Sequence, residues 1–127
     1  SDEGVNKKIN AALKHGLTPI VCVGESLEQN EAGETNTFVG GQVKAAFDGV
    51  PATDAVKIIV AYEPIWAIGT GRNADAATAN SIIKEAVRGP IAEMFGGEVA
   101  DCVGGMLFGL GPAGAAELVE RIAAAGR

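Results

Sequence analysis

The sequence predicts an α/β protein built on a parallel sheet from right-handed βα units. Two short apolar runs carry that prediction, at residues 19–23 (Pro-Ile-Val-Cys-Val) and 57–62 (Lys-Ile-Ile-Val-Ala-Tyr). Neither alternates, which is the pattern of a parallel strand buried on both faces. Segments with apolar residues at helical spacing lie before, between and after these runs. Glycine, proline and capping residues mark the junctions.

The elements follow in order. Val5, Ile9, Ala12 and Leu13 form the stripe of a first helix, with Gly16 placed to stop it and Pro19 preventing its return. His15, the only histidine, sits at that helix end, where it suits the helix dipole and the last carbonyls. Residues 19–23 are the first strand, and 24–35 read as a polar loop. Val39, Val43, Ala46, Phe47 and Val50 restore the helical spacing until Pro51 ends it. A second strand spans 57–62, followed by a glycine-bearing loop over 63–72. Asp75 is an N-cap for the next helix, whose apolar face is Ile83, Ala86, Val87, Ile91, Met94 and Phe95. Gly89-Pro90 should kink or split it, because proline removes a hydrogen bond and clashes with the preceding turn. Residues 106–108 read as a third strand, and Ala115, Leu118, Val119, Ile122 and Ala123 as a last helix.

Composition sets the outer limits. The chain has 127 residues, so one domain over 1–127 is expected. Hydrophobic residues make up 47% and charged residues 20%, which excludes a disordered chain. Lys+Arg 10 against Asp+Glu 16 gives a net charge of −6, with no basic run. That balance speaks against nucleic acid and against an anionic membrane surface. The uncharged stretch over 102–116 is shorter than the ~20 residues of a membrane span and is broken by glycines and Pro112. Ser1-Asp2-Glu3 opens acidic, unlike a secretory leader, and a start without Met is expected of a fragment. Two cysteines, Cys22 and Cys102, suit a reducing compartment, so a cytoplasmic protein is expected.

Chemistry in parallel α/β folds gathers beyond the carboxyl ends of the strands. Glu63 stands there, after five apolar or aromatic residues and before Pro64. A carboxylate beside Ile65, Trp66 and Ile68 could serve as a general base; it could equally be a solvated strand-end acid paired with a lysine. The loop after it has a rigid entry at Pro64, a bulky apolar centre and permissive glycines at Gly69 and Gly71. Such a loop can act as a lid, and its glycine N–H groups can receive a phosphate. An ordinary glycine-rich connection has the same composition.

Resemblance separates these readings. Ala61-Tyr62-Glu63-Pro64-Ile65-Trp66-Ala67-Ile68-Gly69-Thr70-Gly71 resembles the catalytic strand and mobile lid of the triosephosphate isomerase family. Thr18-Pro19-Ile20-Val21-Cys22-Val23-Gly24-Glu25 is similar to the preceding strand, and residues 2–15 to the helix before it. The similarity runs to about Val103, the middle and later part of a (βα)8 TIM barrel. A shorter similarity, over 104–127, is to the last strand and helix, with a seventh-strand segment deleted between.

The resemblance implies a partial TIM barrel of about three parallel strands with flanking helices. It implies Glu63 as the catalytic base, moving a proton between adjacent carbons of a triose phosphate through an enediolate. That chemistry is base catalysis under a closing loop. It implies Gly69 and Gly109 as phosphate donors, and Pro64, Ile65, Trp66, Ala67, Ile68, Thr70 and Gly71 as the lid. Cys22 becomes a structural strand residue near the site. Leu110 replaces the second glycine of the family's phosphate-binding pair. No cofactor and no metal are called for.

The family's Asn and Lys on the first strand, and its electrophilic His on the fourth, have no counterpart in this sequence. Little turnover by this chain alone is therefore expected. A non-catalytic fragment that only folds or assembles, and an isomerase of a four-carbon sugar phosphate, are the competing readings. The expected partners are a small sugar phosphate and a second copy of the chain or a complementing half-barrel, because three strands leave sheet edges and one face uncovered.

Overall fold

The computed structural model describes residues 1–70, 72, 75–106, 120 and 124. Three parallel strands, β1 (Ile20–Val23), β2 (Ile59–Tyr62) and β3 (Gly104–Met106), pair in the order β1-β2-β3 among these residues. The register sets Ile20 against Ile59 and Cys22 against Ala61, then Ile59 against Gly104 and Ala61 against Met106.

α1 (Asp2–Lys14) is capped by the Ser1 hydroxyl, which accepts from Gly4 N–H. It ends at Gly16, whose φ of 73° fits a residue without Cβ. Ile9 is buried, and Leu13 packs on the core. α3 (Thr35–Phe47) is the central helix and buries Val39, Val43, Ala46 and Phe47. Asn6 of α1 donates its amide to the Ala46 and Asp48 carbonyls, 2.9 Å each, pinning α1 to the end of α3.

From Asp75 the chain runs helically through α5 (Ala76–Ile82), a π-helical stretch (Ile83–Arg88) and α6 (Gly89–Phe95). The Asp75 carboxylate accepts from Thr78 N–H at 2.8 Å, so the expected cap is present. The split falls at Gly89-Pro90, where the Gly89 N–H reaches the Lys84 carbonyl in a wide turn. Phe47, Ile58, Val60, Tyr62, Val87 and Ile91 meet at the centre, and the Phe47 and Phe95 rings lie tilted at 6.1 Å. Each such side chain contributes about 1.5–3 kcal/mol by leaving water.

Three sequence expectations change. Residues 24–35 are not all loop: α2 (Leu27–Glu31) forms there, closed by a reciprocal bond pair between Ser26 and Gln29. α3 ends at Phe47, before Asp48 and Gly49 (φ 70°), so Pro51 does not end it but begins a short helix, α4 (Ala52–Ala55); α7 (Gly97–Cys102) follows α6. The third strand starts earlier, at Gly104, and Leu107 and Phe108 lie outside the described residues, as does most of the expected last helix. β1 keeps the one uncovered face that a count of three strands implies. Val21 and Val23 face the helices, while Ile20 (40% exposed) and Cys22 face outward. Among the described residues, helices cover one side of this strand, and Ile20 and Cys22 stay exposed on the other.

Candidate active site

The candidate site side chains gather where β1 and β2 end. Their backbones stay paired past the strands: Glu63 N–H donates to the Val23 carbonyl (2.7 Å) and Ile65 N–H to the Glu25 carbonyl (3.0 Å). This extension fixes Glu63 at the root of the following loop, with Pro64 buried beside it. Glu63 itself is half-buried. Among the described residues the ion pairs are Lys7–Glu3, Lys44–Glu93 and Lys57–Asp54, so the lysine-paired alternative for Glu63 is not what forms. Cys22 is close enough to feel it: partial burial first, then the Glu63 charge, push the thiol pKa up.

The loop carries a 3₁₀ turn at Ile65–Ala67, closed by Ala67 N–H to the Pro64 carbonyl and Ile68 N–H to the Ile65 carbonyl. Thr70 folds its hydroxyl back onto the Trp66 carbonyl at 2.9 Å, and Gly69 adopts a φ of 70°. One edge is anchored, with Ala67 buried and Trp66 half-buried. The other is open, with Ile65 and Ile68 each 58% exposed. A rigid tip with one apolar edge in water is the form of a segment that can close over a ligand. Gly71 and Gly109, expected to serve as lid exit and phosphate donor, lie outside the described residues.

What holds the anchored edge is a residue the sequence reading passed over. Glu25 is fully buried. Its Oε1 accepts from Asn30 Nδ2 (3.0 Å), Thr35 Oγ1 (3.3 Å), Tyr62 OH (3.0 Å) and Trp66 Nε1 (3.0 Å), while Tyr62 OH also lies 3.1 Å from Oε2. Burial, the Glu25 charge and the bond to Glu25 raise the Tyr62 pKa well above the usual phenol value, keeping the hydroxyl a donor. The local signal was the Ser26-x-x-Gln29 capping box, which places Asn30 on a helix just beyond Glu25. His15 stays at the end of α1, donating its backbone N–H to Ala11 and Ala12 carbonyls.

A parallel sheet with a half-buried carboxylate at a strand end, and a loop with exposed apolar residues rooted on it, places this cluster in the class of βα folds whose sites lie at the carboxyl ends of the strands. Residues 1–109 match the family model of triosephosphate isomerase. The triosephosphate isomerases of Thermoanaerobacter sp. (strain X514) and Thermoanaerobacter pseudethanolicus are each 55% identical to it over 103 residues, and that of Clostridium botulinum is 52% identical. These alignments cover 81% of this chain and 41% of each relative, so the chain spans about two fifths of their length. The chain belongs to the triosephosphate isomerase family. Among the described residues no helix is long and apolar enough to cross a membrane.

Proposed function

We propose that this chain carries the base and lid of an aldose–ketose isomerase acting on a triose phosphate. The observation that carries the reading is the placement of Glu63, half-buried at the end of β2 and bonded through its backbone to Val23, at the root of the Pro64–Thr70 segment. A carboxylate held there removes a proton from the carbon beside the substrate carbonyl. The enediolate then takes the proton back on the neighbouring carbon. Trp66 and Ala67 keep one edge of the lid fixed while Ile65 and Ile68 supply apolar surface to exclude water once it closes. Gly69 N–H is the lid donor to the phosphate.

The electrophile and cation that polarise the carbonyl are supplied by residues outside this sequence, whose one histidine, His15, caps α1. Loss of such groups costs on the order of 10²–10⁴ in rate each. The chain by itself is therefore a poor catalyst. The outward face of β1, with Ile20 and Cys22, is where an amino-terminal half-barrel or a second copy would pack.

A coupled isomerase assay tests this. The 127-residue chain is mixed with the amino-terminal part of the Thermoanaerobacter sp. enzyme, and activity should rise above that of either piece. Glu63→Gln keeps the shape but lacks a basic oxygen, and should lower that activity by at least ~10². Ordinary isomerase activity from the chain alone, or reconstituted activity indifferent to Glu63→Gln, overturns the proposal.

A further inference from the structure

We propose that Gly24, with its amide held by Gln42, is a positioning residue that sets the place of the Glu63–Pro64 peptide, and so of the base and the root of the lid; its functional meaning rests on the reading of Glu63 given above. A Cβ built on Gly24 would stand 1.8 Å from the Glu63 carbonyl oxygen, 2.5 Å from its carbonyl carbon and 3.1 Å from Pro64 N. The atoms in the way are backbone and cannot swing aside as the end of a side chain can.

The close approach follows from the bonds around it. Val23 and Glu25 each take an N–H from the opposite segment, at 2.7 and 3.0 Å, and Gly24 lies between those two bonds. Its own N–H points to another partner, donating to Gln42 Oε1 of α3 at 2.9 Å. Gly24 is not among the glycines with positive φ, so its need is for space and not for a left-handed turn. Gln42 thereby ties the end of β1 to the central helix, and the missing Cβ lets Glu63 settle against it.

The Cys22 thiol supplies a readout independent of turnover, because the Glu63 charge holds back its ionisation. The full chain is used in a Cys102→Ser background, which leaves Cys22 as its one thiol, and iodoacetamide modification is timed at pH 8. Adding Glu63→Gln should speed the reaction about threefold, the effect of removing one nearby charge in a largely hydrated setting. With Gly24→Ala that acceleration should fall toward unity, since Glu63 is displaced. Gln42→Met, which leaves Gly24 N–H without its acceptor, should reduce it too. Gln42→Glu keeps an acceptor and should retain it, as should Gly41→Ala, where a Cβ meets nothing within 4 Å.

Full acceleration in both Gly24→Ala and Gln42→Met overturns the inference. If Gly24→Ala does not fold by circular dichroism, Gln42→Met against Gln42→Glu decides alone. Loss of the coupling together with reconstituted activity indifferent to Glu63→Gln would sink the base assignment and leave the positioning intact.

Discussion

Glu25 and Glu63 stand just past the ends of neighbouring strands, and their surroundings differ in kind. Glu25 is fully buried and receives donors from Asn30, Thr35, Tyr62 and Trp66. Glu63 is half-buried, its backbone bound to Val23 and its charge felt by Cys22. A carboxylate surrounded by four donors is committed to structure: removing it or moving it would strand each of them. One with an open side can exchange a proton with something that arrives. Burial alone would have pointed to Glu25 as the special acid, and only the hydrogen bonds separate this anchor from the proposed base.

The largest way to break that comparison is Glu25→Leu. It leaves the amide of Asn30, the hydroxyls of Thr35 and Tyr62 and the indole N–H of Trp66 without their acceptor, and should cost about 3 kcal/mol or more. Urea unfolding followed by Trp66 fluorescence measures it, with Glu63→Gln as the comparison, expected within about 0.5 kcal/mol of the parent. Equal losses at the two positions would show that the anchor and the base are not different in kind.

Tyr62→Phe is a smaller cut. It removes one donor and keeps the ring in the core, at about 1.5 kcal/mol. It also carries a pH signature. The folded phenol has its pKa raised, so it stays protonated where the unfolded chain already ionises. Its stabilisation is thus fully present below the unfolded phenol pKa of about 10 and is lost as pH rises from there through the folded value. The parent should lose stability over that alkaline range faster than Tyr62→Phe does. Parallel curves would mean that Tyr62 ionises alike in the folded and unfolded states.

These contrasts also show which parts of the molecule were legible in one dimension. Gly16, Asp75 and Gly89-Pro90 act through their own backbone or their nearest neighbours, and each does in the structure what its position in the sequence implies. Glu63 was visible because a strand end and its following loop are contiguous. Glu25 was not, since two of its four donors lie 37 and 41 residues away, at Tyr62 and Trp66. Which face of β1 would stay uncovered was illegible for a related reason. Ile20 and Cys22 are as apolar as Val21 and Val23, and no residue along the run says which side the helices will cover. α2 was missed despite a local signal, because five residues between polar neighbours look like loop unless the Ser26–Gln29 pair is weighed.

That pair supplies the smallest effect. A five-residue helix cannot persist on propensity, because the first turn fixes several residues for a single bond. α2 therefore depends on its ends. Ser26 Oγ accepts from Gln29 N–H at 3.3 Å, and Gln29 Oε1 takes the Ser26 N–H at 2.9 Å. Ser26→Ala removes one of the two bonds and should cost about 1 kcal/mol. The helix matters because it presents Asn30 to Glu25, so part of that cost is paid through the buried carboxylate. In a chain already carrying Glu25→Leu, Asn30 has no carboxylate to meet, and Ser26→Ala should then cost clearly less than it does alone. A double-mutant cycle in urea isolates the difference. If the two losses simply add, α2 is a surface turn with its own small stability, and Glu25 is held by Tyr62, Trp66 and Thr35 without help from the helix.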